Sequence, residues 1–345
     1  MKFYAALDVS LAETSICIVD EAGRVVKESK VPSDPIAVVS FFAATGLTFV
    51  RIGLEAGALS QWLYDGLARA ELPVVCIETR HLKAALSAMI TKTDRNDARG
   101  MAQVVRTGWF RAVHVKTEES RVLRALLAGR SLLVQKLKDT DNQVRGSLRV
   151  FGLKVGRVSK LGFEHRVREL VAGRRDLLTL LEPMLRVRAA IVAELGTMER
   201  LVRQAARRDP VCRRLMTVPG VGPVVALTFR TAVDVPARFA KSKAVGAHFG
   251  LVPRRYQSGE VDRIGRISKV GDDRVRTMLY EAANTLLSRS TRWSALKAWA
   301  VRIAGRRGLA RAKVALARKL AVVLHRIWVD GAEFRWSAGD RPMVA

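Results

Sequence analysis

The sequence predicts an α/β domain followed by a mainly helical remainder, on three observations. Strand and helix signals alternate through the first 80 residues. Leucines and valines then recur at helical spacing from about 117 to 206, and from 209 helical segments are separated by glycine-rich turns. These breaks divide the chain into an α/β domain (1–115), a long helical, coiled-coil-like linker (116–207), a mostly helical C-terminal domain (208–333) and a tail (334–345).

In the first domain "FYAALDV" (3–9), "TSICIVD" (14–20) and "RVVKESKV" (24–31) read as strands, the last two joined by the turn "DEAGR". "DPIAVVSFFAATG" follows as a helix, with Asp34 as N-cap and Gly46 closing it. "TFVRIGLE" (48–55) is a strand, "LSQWLYDGLARA" (59–70) a helix and "PVVCIE" (73–78) a strand. Three meandering strands followed by helix-connected ones make a mixed sheet, the order of a ribonuclease H-like core. "RNDARGMAQVVRTG" (95–108) continues as a helix.

The middle reads as long antiparallel helices broken at 152–162, and Pro183 is expected to kink or end the second. Further on, "PGVG" (219–222) lies between two helical segments in the manner of a helix-hairpin-helix. Gly220 and Gly222 would there expose backbone N–H groups to nucleic-acid phosphates, although an ordinary turn fits the same residues. The stretch 306–328 reads as a basic amphipathic helix with Leu309, Leu316, Leu320, Val323, Leu324 and Ile327 on its apolar side. Trp293, Trp299, Trp328 and Trp336 are expected in the core.

Charge is strongly polarised. Residues 1–100 hold 11 Lys+Arg and 12 Asp+Glu, a net of −1, so nearly all of the chain's formal +28 lies downstream. A one-sided basic excess points to a polyanion partner; charge alone leaves ribosome-like or membrane-surface binding open beside nucleic acid, which is the expected partner. No apolar run is long enough for a membrane-spanning helix, and Asp8 interrupts the N-terminus before a signal-peptide core forms. Cys17, Cys76 and Cys212 have no spacing for zinc or a disulfide framework, so a reduced, cytoplasmic protein is expected.

Against this basic background "KTDRNDA" (92–98) sets Asp94 and Asp97 three residues apart, on one helix face. Arg95 and Arg99 offer an ordinary relief for their repulsion. Two further acids favour another account: Asp8 sits in the apolar run "AALDVS", and Glu55 ends a strand expected beside it. Uncompensated carboxylates in such places are costly, and a hard divalent cation such as Mg²⁺ resolves that cost with oxygen ligands. Converging on one point, the four acids would form a phosphoryl-transfer metal site.

A different cluster lies at 251–283, rich in Arg, Lys and Gly. Ser258 precedes Gly259, a pair that alone reads as a turn. Arg254, Arg255, Arg266 and Lys269 would supply a positive field for a phosphate, though no general base is near in sequence. No Gly-Lys-Ser/Thr phosphate loop occurs anywhere in the sequence.

Asp8, Glu55 and "KTDRNDA", followed by "VPGVGP" and "GLVPRRYQSG…GRISKVGDDRVR", resemble the DEDD-type insertion-sequence transposases of the IS110 family, the bridge-RNA-guided serine recombinases. The resemblance covers about 1–105 and 210–285. It implies a RuvC-like first domain and a C-terminal transposase domain. It also implies Mg²⁺ at Asp8, Glu55, Asp94 and Asp97, with Ser258 attacking a DNA phosphodiester. A homo-oligomer, dimer or tetramer, is further implied, in which the serine of one subunit can face the acids of another. So is a noncoding guide RNA from the element that selects donor and target DNA. Asp272 stands where the family often has Asn, and Val275 where it often has Leu. The competing expectations are a RuvC-like junction nuclease in which the acids activate water, and a non-catalytic nucleic-acid scaffold.

Overall fold

The computed structural model describes residues 1–87, 91 and 93–336. Lys92 of "KTDRNDA" and residues 337–345 of the expected tail lie outside the described residues. The chain forms two compact units, 1–116 and 117–345.

The first unit is built on a five-stranded mixed sheet. Strands β1 (Phe3–Val9), β2 (Glu13–Asp20) and β3 (Val25–Pro32) form an antiparallel meander. Helix α1 (Pro35–Ala43) leads to β4 (Phe49–Glu55), and α2 (Ser60–Arg69) to β5 (Val74–Ile77). β4 runs parallel to β1 and β5 parallel to β4, giving the order β3-β2-β1-β4-β5. Asp34 caps α1 as expected, accepting from the N–H groups of Ile36 and Ala37. Helix α3 (Thr79–Leu86), which the sequence reading passed over, precedes α4 (Asp94–Thr107). Thr93 caps α4, and Gly108, with φ 73°, ends it in the left-handed conformation that glycine adopts without strain.

Strand alternation sorts the core into two layers. Ala5 and Leu7 of β1, with Ile52 and Leu54 of β4, face α1 and α2 in one apolar cluster. Ala6 and Cys17 face the other way, packing with Ile77, Met101, Ala102 and Val105 beneath α3 and α4. Gly53 shares this second side. A Cβ there would collide with Val105, so the glycine lets α4 approach the sheet closely.

The second unit begins with α5 (Glu118–Arg149), α6 (Phe163–Leu170) and α7 (Arg175–Arg208). α5 and α7 are antiparallel: Leu127 and Val202 share one core, while Val144 and Leu148 share another with Leu177, Leu181 and Leu185. Pro183 does not end α7. The flanking Leu181 and Leu185 are buried, and tertiary packing of this kind outweighs one lost backbone hydrogen bond. At the same end Arg188 is buried, bonds Asp141 at 2.6 Å and the Lys160 carbonyl at 2.8 Å, and lies over the Phe163 ring.

After α8 (Pro210–Leu215), α9 (Pro223–Val233) and α10 (Lys243–His248), an antiparallel hairpin of β6 (Pro253–Ser258) and β7 (Val261–Ile267) interrupts the helices. Then come α11 (Asp273–Ser288), α12 (Ala295–Arg307) and α13 (Leu309–Asp330). The expected helix over 306–328 is therefore split at Gly308, and Leu309 is exposed instead of joining the apolar side. Trp293 is exposed as well, its ring covered by Lys297, whereas Trp299 and Trp328 pack against the core as expected. Asp272, where the family pattern often has Asn, caps α11 through the Val275 N–H and pairs with Arg124 at 2.8 Å. Burial opposes ionisation of Asp272, but Arg124 and backbone N–H groups hold its carboxyl below the ordinary range.

Candidate active-site cleft and serine hairpin

Leu7 pairs with Leu54 across the parallel strands, so Asp8 and Glu55 are the next residue of each. By alternation Asp8 falls on the side of Ala6, and Glu55 on that of Gly53, the side covered by α4. Both therefore project at the C-terminal ends of adjacent parallel strands, where open sheets commonly bind their ligands. Helix α4 brings its first turn to the same place. A cleft of about 400 Å³ is lined by Asp8, Glu55 and Asp97 together with Thr79, Lys83 and Met101.

Asp94, on the same turn of α4, is exposed, is not part of the cleft lining, and pairs with Lys30 at 3.4 Å. An ion pair with both members exposed contributes at most about 1 kcal/mol. Arg95 and Arg99 do not neutralise the two aspartates. Both are engaged by Glu28 of β3: Arg95 Nε donates at 2.8 Å and Arg99 Nη2 at 2.9 Å. These hydrogen bonds, Arg99 first, lower the Glu28 carboxyl to about 2. The local arginines thus brace α4 against the sheet edge, both bound by Glu28, which is remote in sequence.

Among the described residues no three His, Cys, Asp or Glu side chains stand close enough to ligate one ion as placed. The donor set nevertheless suits a hard divalent ion in kind, because three carboxylates line one cavity and neither a thiol nor an imidazole lines it with them. Lys83 and Thr79 were not singled out from sequence. The available signal was Glu78–Thr79 directly after β5, a helix start at a strand's C-terminal end. All three cysteines are buried free thiols, and burial raises Cys17 and Cys76 to about 11, so neither is a thiolate near neutrality.

In the second unit Ser258 closes β6. It pairs with Val261 across a two-residue turn, Gly259–Glu260, in which Gly259 has φ 55°. Ser258 is exposed, and its hydroxyl makes no hydrogen bond to a described residue. Alternation puts Tyr256 on the same face as Ser258, with Arg263 directly opposite Tyr256. Arg255 occupies the other face, bonded to Asp262 at 2.8 and 2.6 Å. Arg254 donates to the Ser268 carbonyl at 3.1 Å, tying the hairpin base to the segment that follows it. Arg266 and Lys269 are exposed.

The "PGVG" turn lies between α8 and α9 as expected. Gly220 has φ 87°, and a Cβ there would collide with the Ala282 carbonyl of α11, so this glycine has a packing reason of its own. Gly222 is the N-cap of α9, with open space where a Cβ would be. Among the described residues no helix is long and apolar enough to cross a membrane.

Comparison with known proteins gives matches in both parts of the chain. Residues 5–152 match a family model for DEDD transposases of the IS110 type, which carries divalent-metal dependence with it. Residues 212–298 match the model described as transposase IS116/IS110/IS902 family. Over 98% of its length the chain is 30% identical to the transposase for insertion sequence element IS1111A of Coxiella burnetii, covering 93% of that protein. It is 31% identical to a probable family 20 transposase of Pseudomonas aeruginosa, over 68% of this chain and 71% of the relative. A DNA transposase accounts for the basic excess and sets aside the non-catalytic scaffold. The chain belongs to the IS110 family of insertion-sequence transposases.

Proposed function

We propose that the protein is an RNA-guided, site-specific DNA recombinase that mobilises its insertion sequence by serine attack. In this reading Asp8, Glu55, Asp94 and Asp97 hold Mg²⁺ in a RuvC-like first domain. Residues 116–207 act as a linker, and Ser258 of a transposase domain over 208–333 is the nucleophile. The observation that carries the proposal is the gathering of Asp8, Glu55 and Asp97, from three separate elements, around one cleft. The strand order and the family membership support it. When bound, the divalent ion supplies Lewis-acid stabilisation of charge on the phosphate oxygens.

The remaining roles belong to the chain's own residues. At an exposed hairpin tip Ser258 is open to a DNA strand, and Arg254, Arg266 and Lys269 attract its phosphates. The serine Oγ–P bond forms as one P–O bond to deoxyribose breaks, and the released deoxyribose hydroxyl takes up the proton that serine loses. The phosphoserine diester conserves the bond energy, so attack by a second deoxyribose hydroxyl rejoins DNA without a nucleotide cofactor. Gly220 and Gly222 would add backbone N–H contacts to DNA. The protein would work in the cytoplasm as a homo-oligomer, dimer or tetramer, with an element-encoded RNA choosing donor and target.

The junction-nuclease reading is favoured by one observation, the lack of any hydrogen bond from Ser258 Oγ to a described base. A plasmid recombination assay separates the two. Ser258→Ala is expected to abolish recombination, and RNase treatment of the purified protein is expected to abolish site selection. Recombination that survives Ser258→Ala removes the serine role; site selection that survives RNase removes the guide.

A further inference from the structure

A second cavity, of about 730 Å³, lies in the second unit between α12, α13 and the segment 332–335. Its volume falls in the range of small-ligand sites. The floor is apolar and partly aromatic: Trp299, Val323 and Phe334 line it, each half-buried against the core. The rim is basic. Arg302 of α12, Lys319 of α13 and Arg335 make no hydrogen bond or ion pair with a described residue. Arg326 is matched by Asp330 at 3.3 Å, which among the described residues lining the cavity leaves Glu333 as the one acid against those three cations.

The third wall is held in place. Phe334 N–H donates to Thr217 Oγ1 at 2.9 Å, and Ala295 N–H donates to the Trp336 carbonyl at 3.2 Å. Arg292 lies 4.1 Å from the Trp336 ring centroid. The cavity is therefore a built feature with a fixed aromatic floor.

Unneutralised cations around an aromatic floor suit an unpaired nucleotide. A base in a duplex has no free face to offer, whereas an unstacked base packs on an aromatic ring while its flanking phosphates bind Arg and Lys. We propose that this cavity grips one unpaired nucleotide of a single strand, its base against Trp299 and its phosphates at Arg302, Lys319 and Arg335. The proposal rests on the reading of the protein as a nucleic-acid recombinase. It names where a displaced DNA strand, or a single-stranded stretch of RNA, is held.

Fluorescence anisotropy on full-length, RNase-treated Ser258→Ala protein tests it, because that background cannot consume the probe by serine attack. The probes are oligo-dT and oligo-rU of about eight nucleotides and a duplex of matching charge. Arg302→Glu/Lys319→Glu is expected to weaken single-strand binding about tenfold or more and duplex binding about threefold or less. Lys138→Glu/Lys154→Glu, an equal charge change at exposed sites away from the cavity, is expected to cost about threefold or less. Trp299→Ala is expected to lose about tenfold, with Trp299→Phe retaining most of the binding. Tighter binding of oligo-rU identifies RNA as the occupant, and equal or tighter binding of oligo-dT identifies DNA. The proposal is overturned if the control pair weakens binding as much as the cavity pair. It is also overturned if single-strand and duplex affinities fall together, or if neither cavity variant changes binding. None of these results depends on serine chemistry, so failure here and failure of the recombination assay are distinguishable.

Discussion

Asp8 and Glu55 stand at equivalent places on adjacent parallel strands, one residue beyond the Leu7–Leu54 pair. Each follows a fully buried leucine, and each turns toward the side on which α4 delivers Asp97. The sheet register therefore produces the cleft directly.

Removing a carboxylate from the cleft should act on chemistry before stability. Asp8→Asn, Glu55→Gln and Asp97→Asn are expected to lower DNA cleavage at least about 100-fold in a plasmid assay. Mg²⁺ is expected to raise the unfolding temperature of the parent protein, and the same substitutions are expected to abolish that shift. Asp94→Asn is expected to behave likewise, whereas Lys30→Ala, which removes only an exposed partner, should leave cleavage within about threefold. Undiminished cleavage in any one carboxylate variant reduces that acid to an incidental role.

The two glycines of "PGVG" should separate. Gly220→Ala combines a left-handed backbone with a collision against α11, and is expected to cost about 2–4 kcal/mol in chemical denaturation. Gly222→Ala meets open space at an ordinary φ of −97° and should leave stability within about 0.5 kcal/mol. DNA affinity measured on Gly222→Ala then reports the turn's contact with phosphate without a folding defect. A Gly220→Ala protein as stable as the parent would contradict the packing described here.

Glu28 ties α4 to the sheet, and its effect has a defined pH sign. Its folded carboxyl is lowered to about 2, against about 4.3 for an unperturbed glutamate. The stabilisation is therefore fully present above about pH 4.3 and disappears as pH falls through about 2. Urea midpoints at pH 3, 5 and 7 should show Glu28→Gln less stable at neutral pH, with a smaller loss on acidification than the parent. Parallel pH curves for the two proteins would show that the clamp does not contribute.

Much of the first unit was legible because its signals are local: alternating apolar strands and the Asp34 cap. Asp8 stood out because a carboxylate inside "AALDVS" has no packing reason to be there, and it lines the cleft with Glu55 and Asp97, whereas Asp94 does not. What escaped was set by distance or by exposure. Glu28 reaches α4 from about 70 residues away, so nothing near Arg95 or Arg99 announces their real partner. The β6–β7 hairpin is exposed along nearly its whole length and carries none of the apolar alternation that marks a half-buried strand. Pro183 does not end its helix, one of the two outcomes expected of it, since the buried leucines around it keep α7 continuous.

The most direct measurement is capture of the protein–DNA linkage. Protein, RNA and a DNA substrate are mixed with Mg²⁺, quenched in denaturant, and digested for peptide mass spectrometry. The account predicts a phosphodiester-linked nucleotide on Ser258, absent in Ser258→Ala and in Asp97→Asn. Efficient cleavage with no adduct, leaving only hydrolysed DNA ends, would contradict it.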